Sequence, residues 1–565
     1  MAKHVKKPSP EKPLPPTEYW KAGERERKSW TVAIYMVADG RSGSSDLDQV
    51  AIRELGTIVK AAGTQSNVNV AVQLDLHGVN GTLRLLAGPD PKVQGEFRDE
   101  TNAADPKTLS AFLAWATEYS PADHYLLLFW GHSSGPVVFV GDFELARPGS
   151  SNGAPESAGL GVGALRGIGP AISGSAPADP DVERRPGLVK RVGRAIKQHC
   201  GDFEKARYGS SSSGDGSHPK TPAVDIVLFK ECFMGTLETA FELDDVRFMI
   251  ASQAKVPRLN WPYKEMFRCL AENDDPEKAA KGILRELGTF YEFGRNRRGK
   301  DHVPVALVDI PRAQALARQY VPALVTELQA AGDADRRKQI RLAFDRSALG
   351  DPALVDVKLL CRNLESIKGE LHQGLRAAAS GLLELFADAP GGAIGSAAVQ
   401  LARGDSMFGG VSVLFFPDPI DALGPVHVGG SFIAPVVARH PERYTALDFG
   451  ATGWKAVALE RLAGWNVSIL ESFKGGKALD FAALEEISKA SVLGDVLGRP
   501  TDLDIDRPFE FNKPIDFNKP IDFNKPIDFN KPIDFGKPID FGKMMDFVKA
   551  IDFAKAFDLA GDSSS

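Results

Sequence analysis

Two stretches decide how this chain reads: His124-Tyr-Leu-Leu-Leu-Phe-Trp130, which runs into Gly131-His132-Ser133-Ser134-Gly135, and Val224-Asp-Ile-Val-Leu-Phe-Lys230, which runs into Glu231-Cys232-Phe233-Met234-Gly235. Short apolar runs bounded by Gly and polar residues are the pattern of buried strands in a parallel sheet. In an open α/β sheet, chemistry gathers just beyond the carboxyl ends of the strands. One strand thus delivers an imidazole to that edge and another delivers a thiol. A lone histidine after a strand is more often structural, and a lone buried cysteine is more often inert packing. Two of them at the ends of the two most apolar strands form instead the layout of a cysteine nucleophile and a histidine base. The turn after Cys232 is expected to open a helix whose N–H groups stabilise a thiolate.

Reading outward, order begins at Trp30-Thr-Val-Ala-Ile-Tyr-Met-Val-Ala38, a buried strand that leads into the loop from Asp39 to Ser45. Residues 46–62 carry Leu47, Val50, Ala51, Leu55, Ile58 and Val59 at helical spacing. Val68–Leu74 is a further strand, Thr82–Leu86 a hairpin strand, and Pro106–Tyr119 an amphipathic helix that leads into the His132 strand. Strand, helix, strand, helix in this order predicts a doubly wound α/β domain. Residues 145–222 are dense in Gly, Ser, Pro and Ala, with room for one helix near 183–207 around Val189, Val192 and Ile196. A segment of that composition inside a compact domain points to function or disorder rather than core. After Cys232 the patterns predict a helix over 236–243, a strand over 246–251, helices over 277–292, 311–331 and 365–387, and a late strand over 410–416. The folded part, 29–465, is expected to end with 442–465.

Both ends differ from this body. Residues 1–28 are rich in Lys, Pro and Glu and read as a disordered arm, and 466–506 read as a linker region. The tail, 507–565, is a repeat: from Phe511 the hexad Phe-Asn-Lys-Pro-Ile-Asp recurs and then drifts. Its regular prolines lack an N–H and exclude helix or central strand. The tail reads either as an extended spacer or as an array of Phe/Ile anchors for one partner. The 565 residues carry 43% hydrophobic and 25% charged side chains and a net charge of −6, which argues against a general nucleic-acid binder. No run approaches the roughly 20 apolar residues of a membrane span. The four cysteines show neither zinc nor disulfide spacing. The expected location is cytoplasmic, with no membrane and no nucleic acid among the partners.

The blocks Trp30–Asp39, Ala71–Asp75, Leu127–His132, Cys232–Glu238 with Glu242-Leu243, Ala251-Ser-Gln253, Asn260-Trp-Pro-Tyr263, Val411–Pro417, and Tyr444 with Trp454 together resemble the clostripain family of cysteine peptidases. The resemblance covers about 28–465. It implies a caspase-like α/β/α sandwich with a mostly parallel sheet, His132 as general base, Cys232 as nucleophile, and backbone N–H groups of Gly131 to Ser133 and of Cys232 as oxyanion donors. Lys230 and Ser252 are the candidate substrate-binding residues.

Three departures from the family pattern carry consequences. The family's Asp-Ala-Cys, whose Asp helps bind Arg or Lys, is here Lys230-Glu231-Cys232. By strand alternation Lys230 shares the side of Cys232, and a cation near the first pocket would favour Asp or Glu before the cut unless a neighbour neutralises it. The alternatives are basic specificity through another carboxylate, or a Lys230 that pairs with a core carboxylate and reads no substrate. The stretch 1–28 is also expected to carry no export signal, and the linker between His132 and Cys232 is long. Cleavage in 145–222 is the expected activation step, with Asp179, Asp181, Asp202 and Asp215 as candidate acidic sites and Arg184, Arg185 and Arg194 as basic ones. No cofactor is expected. Carboxylates at Asp39, Asp46, Asp48, Asp244 and Asp245 make calcium conceivable, but they lack EF-hand spacing. The expected function is a self-activating cysteine endopeptidase. The competing readings are a degenerate peptidase fold that scaffolds through its repeat tail, and a thiol hydrolase or transferase acting on a non-peptide acyl group.

Overall fold

The structure is a computed structural model. It describes residues 26–38, 46–76, 82–88, 94–98, 105–133, 135–137, 188–208, 222–258, 260–293, 303–330, 334–349, 353–367, 373–386, 397–402, 408–415 and 441–458, with the single residues 103, 351, 433 and 437. The expectations for most of the arm, for the linker 466–506 and for the hexad tail lie outside these residues.

Nine of the described strands form one sheet in the order β10-β8-β7-β6-β5-β1-β2-β3-β4. Its centre is parallel: β1 (Lys28–Val37) runs between β2 (Val68–Asp75) and β5 (Ala122–Trp130), and β5 pairs in parallel with β6 (Val224–Lys230), which pairs in parallel with β7 (Val246–Ser252). Antiparallel strands close both edges, β3 (Thr82–Ala87) and β4 (Gln94–Arg98) on one side, β8 (Val305–Asp309) and β10 (Val399–Leu401) on the other. A parallel sheet must be covered on both faces, which is why β1, β5 and β6 are almost continuously apolar. Alternation then sorts the side chains. Trp30, Val32, Ile34, Leu126, Leu128, Trp130, Ile226 and Leu228 face α1 (Asp46–Ala62), α6 (Tyr263–Ala271) and α7 (Pro276–Phe293). Tyr35, Leu127, Phe129, Val227 and Phe229 face the other layer, with α2 (Pro106–Tyr119) and α8 (Ile310–Gln329). This is the expected α/β/α sandwich.

The insertion departs from expectation. Residues 188–208 form two helices rather than one, α3 (Leu188–Gln198) and α4 (Cys200–Tyr208), and Val189, Val192, Ile196 and Phe203 are buried in the second layer. Gly193 lies so close to the backbone of Glu242 that a Cβ would sit 1.7 Å from its carbonyl oxygen. An ion pair fixes α4: Arg207 donates to Asp225 on β6 at 2.7 Å and to the carbonyls of Pro222 and Ala223, and its guanidinium lies over the Tyr125 ring. Only 138–187 and 209–221 remain as candidate open linker, and both lie outside the described residues.

Smaller differences have plain causes. The late strand shortens to β11 (Ser412–Leu414) and pairs with β9 (Leu354–Asp356) in a separate two-stranded sheet, joined to the site through a bridge from Ser412 to Thr236. The pattern at 365–387 resolves into α11 (Gln373–Leu382) and a 3₁₀ turn (Leu383–Phe386), preceded by α10 (Val357–Glu365). α6, α9 (Ala334–Asp345) and α10 escape the sequence pattern because they are short or highly charged, so periodicity has few turns to work with. The last described helices are α12 (Pro441–Thr445) and α13 (Trp454–Ala458).

Candidate active site

β5 and β6 are neighbours in register, with Trp130 opposite Lys230. Two residues beyond each stand His132 and Cys232, so strand pairing alone brings the imidazole and the thiol to one edge of the sheet. Side-chain bonds join the two loops beyond the strands: the Ser133 hydroxyl donates to the carbonyl of Cys232 at 2.5 Å. On the other flank, the N–H of Val256 donates to Cys232 Sγ at 3.4 Å, and Phe233 N donates to the Ala254 carbonyl. Cys232 is thus held between the ends of β5 and β7 and remains partly exposed.

The turn after the thiol is strained. Phe233 takes φ 63°, a conformation that costs a non-glycine residue about 1–2 kcal/mol. The strand itself ends at Lys230 and its alternation stops there, so Cys232 packs against the second core while Lys230 lies on the first. The sequence reading that put both on one side is thereby corrected. A glycine is required at 235, where the chain turns back across β7 and a Cβ would meet Gln253 N at 2.7 Å.

The helix after this turn does not serve the thiol as expected. α5 (Leu237–Phe241) starts five residues downstream and is capped by the Thr236 hydroxyl. The N–H groups of Phe233 and Gly235 bond to the carbonyls of Ala254 and Ser252 instead. Burial pushes the Cys232 thiol up, against smaller downward pulls from the Val256 N–H, Lys255 and Arg258. Burial likewise lowers His132 to about 4, with Arg258 adding to the effect. Both groups are therefore neutral near pH 7.

Lys230 is buried, and its ammonium donates to the Glu54 carboxylate. It also lies 5.2 Å from the Trp261 ring centre and 5.8 Å from that of Tyr263. Of the alternatives open in the sequence, a pair with a core carboxylate is the arrangement found. Burial lowers the ammonium's pKa and Glu54 opposes that shift. Ser252 is buried at the end of β7, where its hydroxyl accepts from Ala254 N at 3.1 Å. Gly131 lies directly between Trp130 and His132. Glu54, Val256, Lys255 and Arg258 are site neighbours that the sequence pattern does not single out. For Glu54 a signal existed: it falls inside the buried stripe 47, 51, 54, 58 of α1, where a carboxylate needs a partner. Lys255 and Arg258 are exposed on the loop after β7.

Glu231 is the other anomaly. It is fully buried, neither carboxylate oxygen has a hydrogen-bond partner among the described residues, and burial holds its pKa well above the usual carboxylate range. A raised carboxyl pKa means the folded state keeps a proton that the unfolded chain loses, so stability falls as pH rises above about 4.5. Glu231→Met should therefore stabilise the protein by about 1–3 kcal/mol, with the gain growing from pH 4 to pH 8. Urea unfolding across that range checks it; a gain independent of pH would contradict this account.

Among the described residues no group of three or more His, Cys, Asp or Glu side chains converges as a metal site. The model of the clostripain family matches residues 34–137 and 216–346, the two stretches that hold His132 and Cys232. The chain belongs to the clostripain family. It is a cysteine-type peptidase, a hydrolase. The match of this clostripain-family chain leaves out 138–215, which includes α3 and α4. Among solved structures the chain is similar to a secreted C11 cysteine protease from Bacteroides thetaiotaomicron in complex with an irreversible peptide inhibitor, at 15% identity and a TM-score of 0.43, over 76% of this chain and 100% of that one. It is also similar to an inactive zymogen C11 protease from Parabacteroides distasonis, at 13% identity and a TM-score of 0.42, over 76% and 99%. No curated protein matches.

Proposed function

We propose that this clostripain-family peptidase is an endopeptidase working through Cys232 and His132. The carrying observation is the pair of in-register strands whose next-but-one residues are the imidazole and the thiol, with the loops joined by the Ser133–Cys232 bond. Because both groups rest neutral, the proton moves during attack. Cys232 Sγ bonds to the scissile carbonyl carbon while its proton passes to His132. Collapse breaks the C–N bond, and His132 returns the proton to the leaving amine. Water then attacks the thioester, giving its proton to His132, and the acid product departs as Sγ is reprotonated. Backbone N–H groups of Gly131, Ser133 and Cys232 are the proposed oxyanion donors. The chemistry as written needs no cofactor.

Activation by self-cleavage between the two residues belongs to the same proposal. Asp202 and Arg194 sit on α4 and α3. A protease needs extended backbone, so these two are the least suited of the candidate sites. Asp179, Asp181, Arg184, Arg185 and Asp215 lie outside the described residues and remain the candidates. Acidic preference rests not on Lys230, which Glu54 neutralises, but on Lys255 and Arg258, exposed on either side of the residue that touches Sγ. Recruitment of a partner by the hexad tail and a cytoplasmic setting are further parts of the proposal and rest on sequence alone.

Mass spectrometry of the purified wild type beside Cys232→Ala tests this. Wild type is expected to be cut within 138–187 or 209–221, after Asp or Glu, and Cys232→Ala to stay whole. A cut in both proteins would remove self-cleavage, and a cut after Arg or Lys would remove the acidic preference.

A further inference from the structure

We infer that Glu54 is a positioning residue whose carboxylate ties together the strand ends carrying His132 and Cys232, and that the reactivity of the thiol depends on this tie. The inference rests on the dyad reading above.

Trp130 and Lys230 are opposite each other across the β5–β6 ladder. Their side chains leave the sheet on the same face and meet one side chain from α1. Glu54 Oε2 accepts from Trp130 Nε1 at 2.8 Å, and Oε1 accepts from Lys230 Nζ and from the Tyr263 hydroxyl. Glu54 is completely buried, and the Lys230 side chain is 3% exposed. Three donors thus converge on two oxygens of one carboxylate. An amide in its place would offer one acceptor and turn an N–H₂ towards a donor.

Stability alone does not account for this arrangement. An apolar filling of similar volume is often as stable as a buried ion pair. What the carboxylate adds is direction, because it fixes the Trp130 and Lys230 side chains relative to each other. Each tethered residue stands two positions before a reacting one. Below the dyad the strand ends are tied through Glu54; above it the loops are tied through Ser133 Oγ and the Cys232 carbonyl. His132 and Cys232 lie between two cross-links, and a shift of about 1 Å at such a site costs up to 10²-fold in rate.

The test follows alkylation of Cys232 by iodoacetamide from pH 5 to 10, read by mass spectrometry, beside thermal melting, for wild type, His132→Ala, Trp130→Phe, Glu54→Gln and the double variant Glu54→Gln/Trp130→Phe. Wild type is expected to show a reactive component at neutral pH that His132→Ala lacks, because the thiol proton can pass to the imidazole. Trp130→Phe and Glu54→Gln should each lose about tenfold or more of that component. In the double variant the clash between amide and indole N–H groups is gone, so melting should recover in part, the buried Lys230 ammonium without its carboxylate keeping the rest of the loss, while alkylation stays as slow as in Glu54→Gln. A purely structural role would make rate and melting recover together, and that result overturns the inference, as do unchanged profiles in both single variants. If Glu54→Gln does not fold, Trp130→Phe alone decides. If His132→Ala matches wild type, the dyad reading itself fails, a different outcome from a normal dyad indifferent to Glu54.

Discussion

Cys232→Ala is expected to eliminate peptide hydrolysis, and His132→Ala to lower kcat by about 10²–10⁴-fold. The two losses should differ in their pH dependence. The buried Cys232 thiol is pushed up, so without a base it contributes almost no thiolate near pH 7. Turnover by His132→Ala should therefore climb with pH as the thiol ionises unaided, and the gap to wild type should narrow. The acid side follows from His132, which burial lowers to about 4. Wild-type activity should fall only as pH drops through about 4, where the imidazole takes up a proton and can no longer accept one from sulfur. Initial rates of both proteins on one peptide pool, from pH 3.5 to 10, measure this. An acid limb near 6.5 would mean an imidazole in a solvent-like setting and would contradict the buried geometry. The same depressed value affects folding. The unfolded chain binds a proton at His132 below about 6.5 and the folded one does not, so stability is lost as pH falls from there towards 4.

The second large effect is structural. Asp225→Ala should destabilise the protein by about 3–5 kcal/mol, since it leaves the buried Arg207 guanidinium without its carboxylate. It also removes the acceptor of Tyr125 N on β5. The cost has a local signature, because Arg207 anchors α4. Trypsin should cut at Lys205 or Arg207 in Asp225→Ala far faster than in wild type. Asp225→Ala/Arg207→Met should recover much of the loss, since no buried cation is left without its counter-charge. A single variant that melts within about 1 kcal/mol of wild type would show that the pair behaves as a surface contact.

How much of this was legible in the sequence follows from how each feature is encoded. β5 and β6 were legible because strands covered on both faces must be apolar throughout, and the His132 and Cys232 loops stand out at their ends. The parallel order was legible from the alternation of strands and helices. α3 and α4 were obscured because Gly, Ser and Pro on both sides dominate the composition, although Val189, Val192 and Ile196 carry the period. The role of Lys230 depends on Glu54, distant in sequence and visible only once α1 packs on the sheet. The Phe233 turn could not be read at all, since a bulky aromatic is the last residue that local preference would place at positive φ. The site is thus encoded in two parts, the reacting groups locally and their surroundings through long-range packing.

The anchoring of α3 and α4 changes what proteolysis would yield. Were the backbone opened on both sides of 188–208, that piece would stay bound through Val192, Ile196, Phe203 and Arg207 as a non-covalent subunit. A denaturing gel would then resolve separate fragments, while sedimentation or native mass spectrometry would report a particle that still contains 188–208. Maturation of this kind converts one polypeptide into an assembly without dissociation, and the two reacting strands would belong to different chains of it.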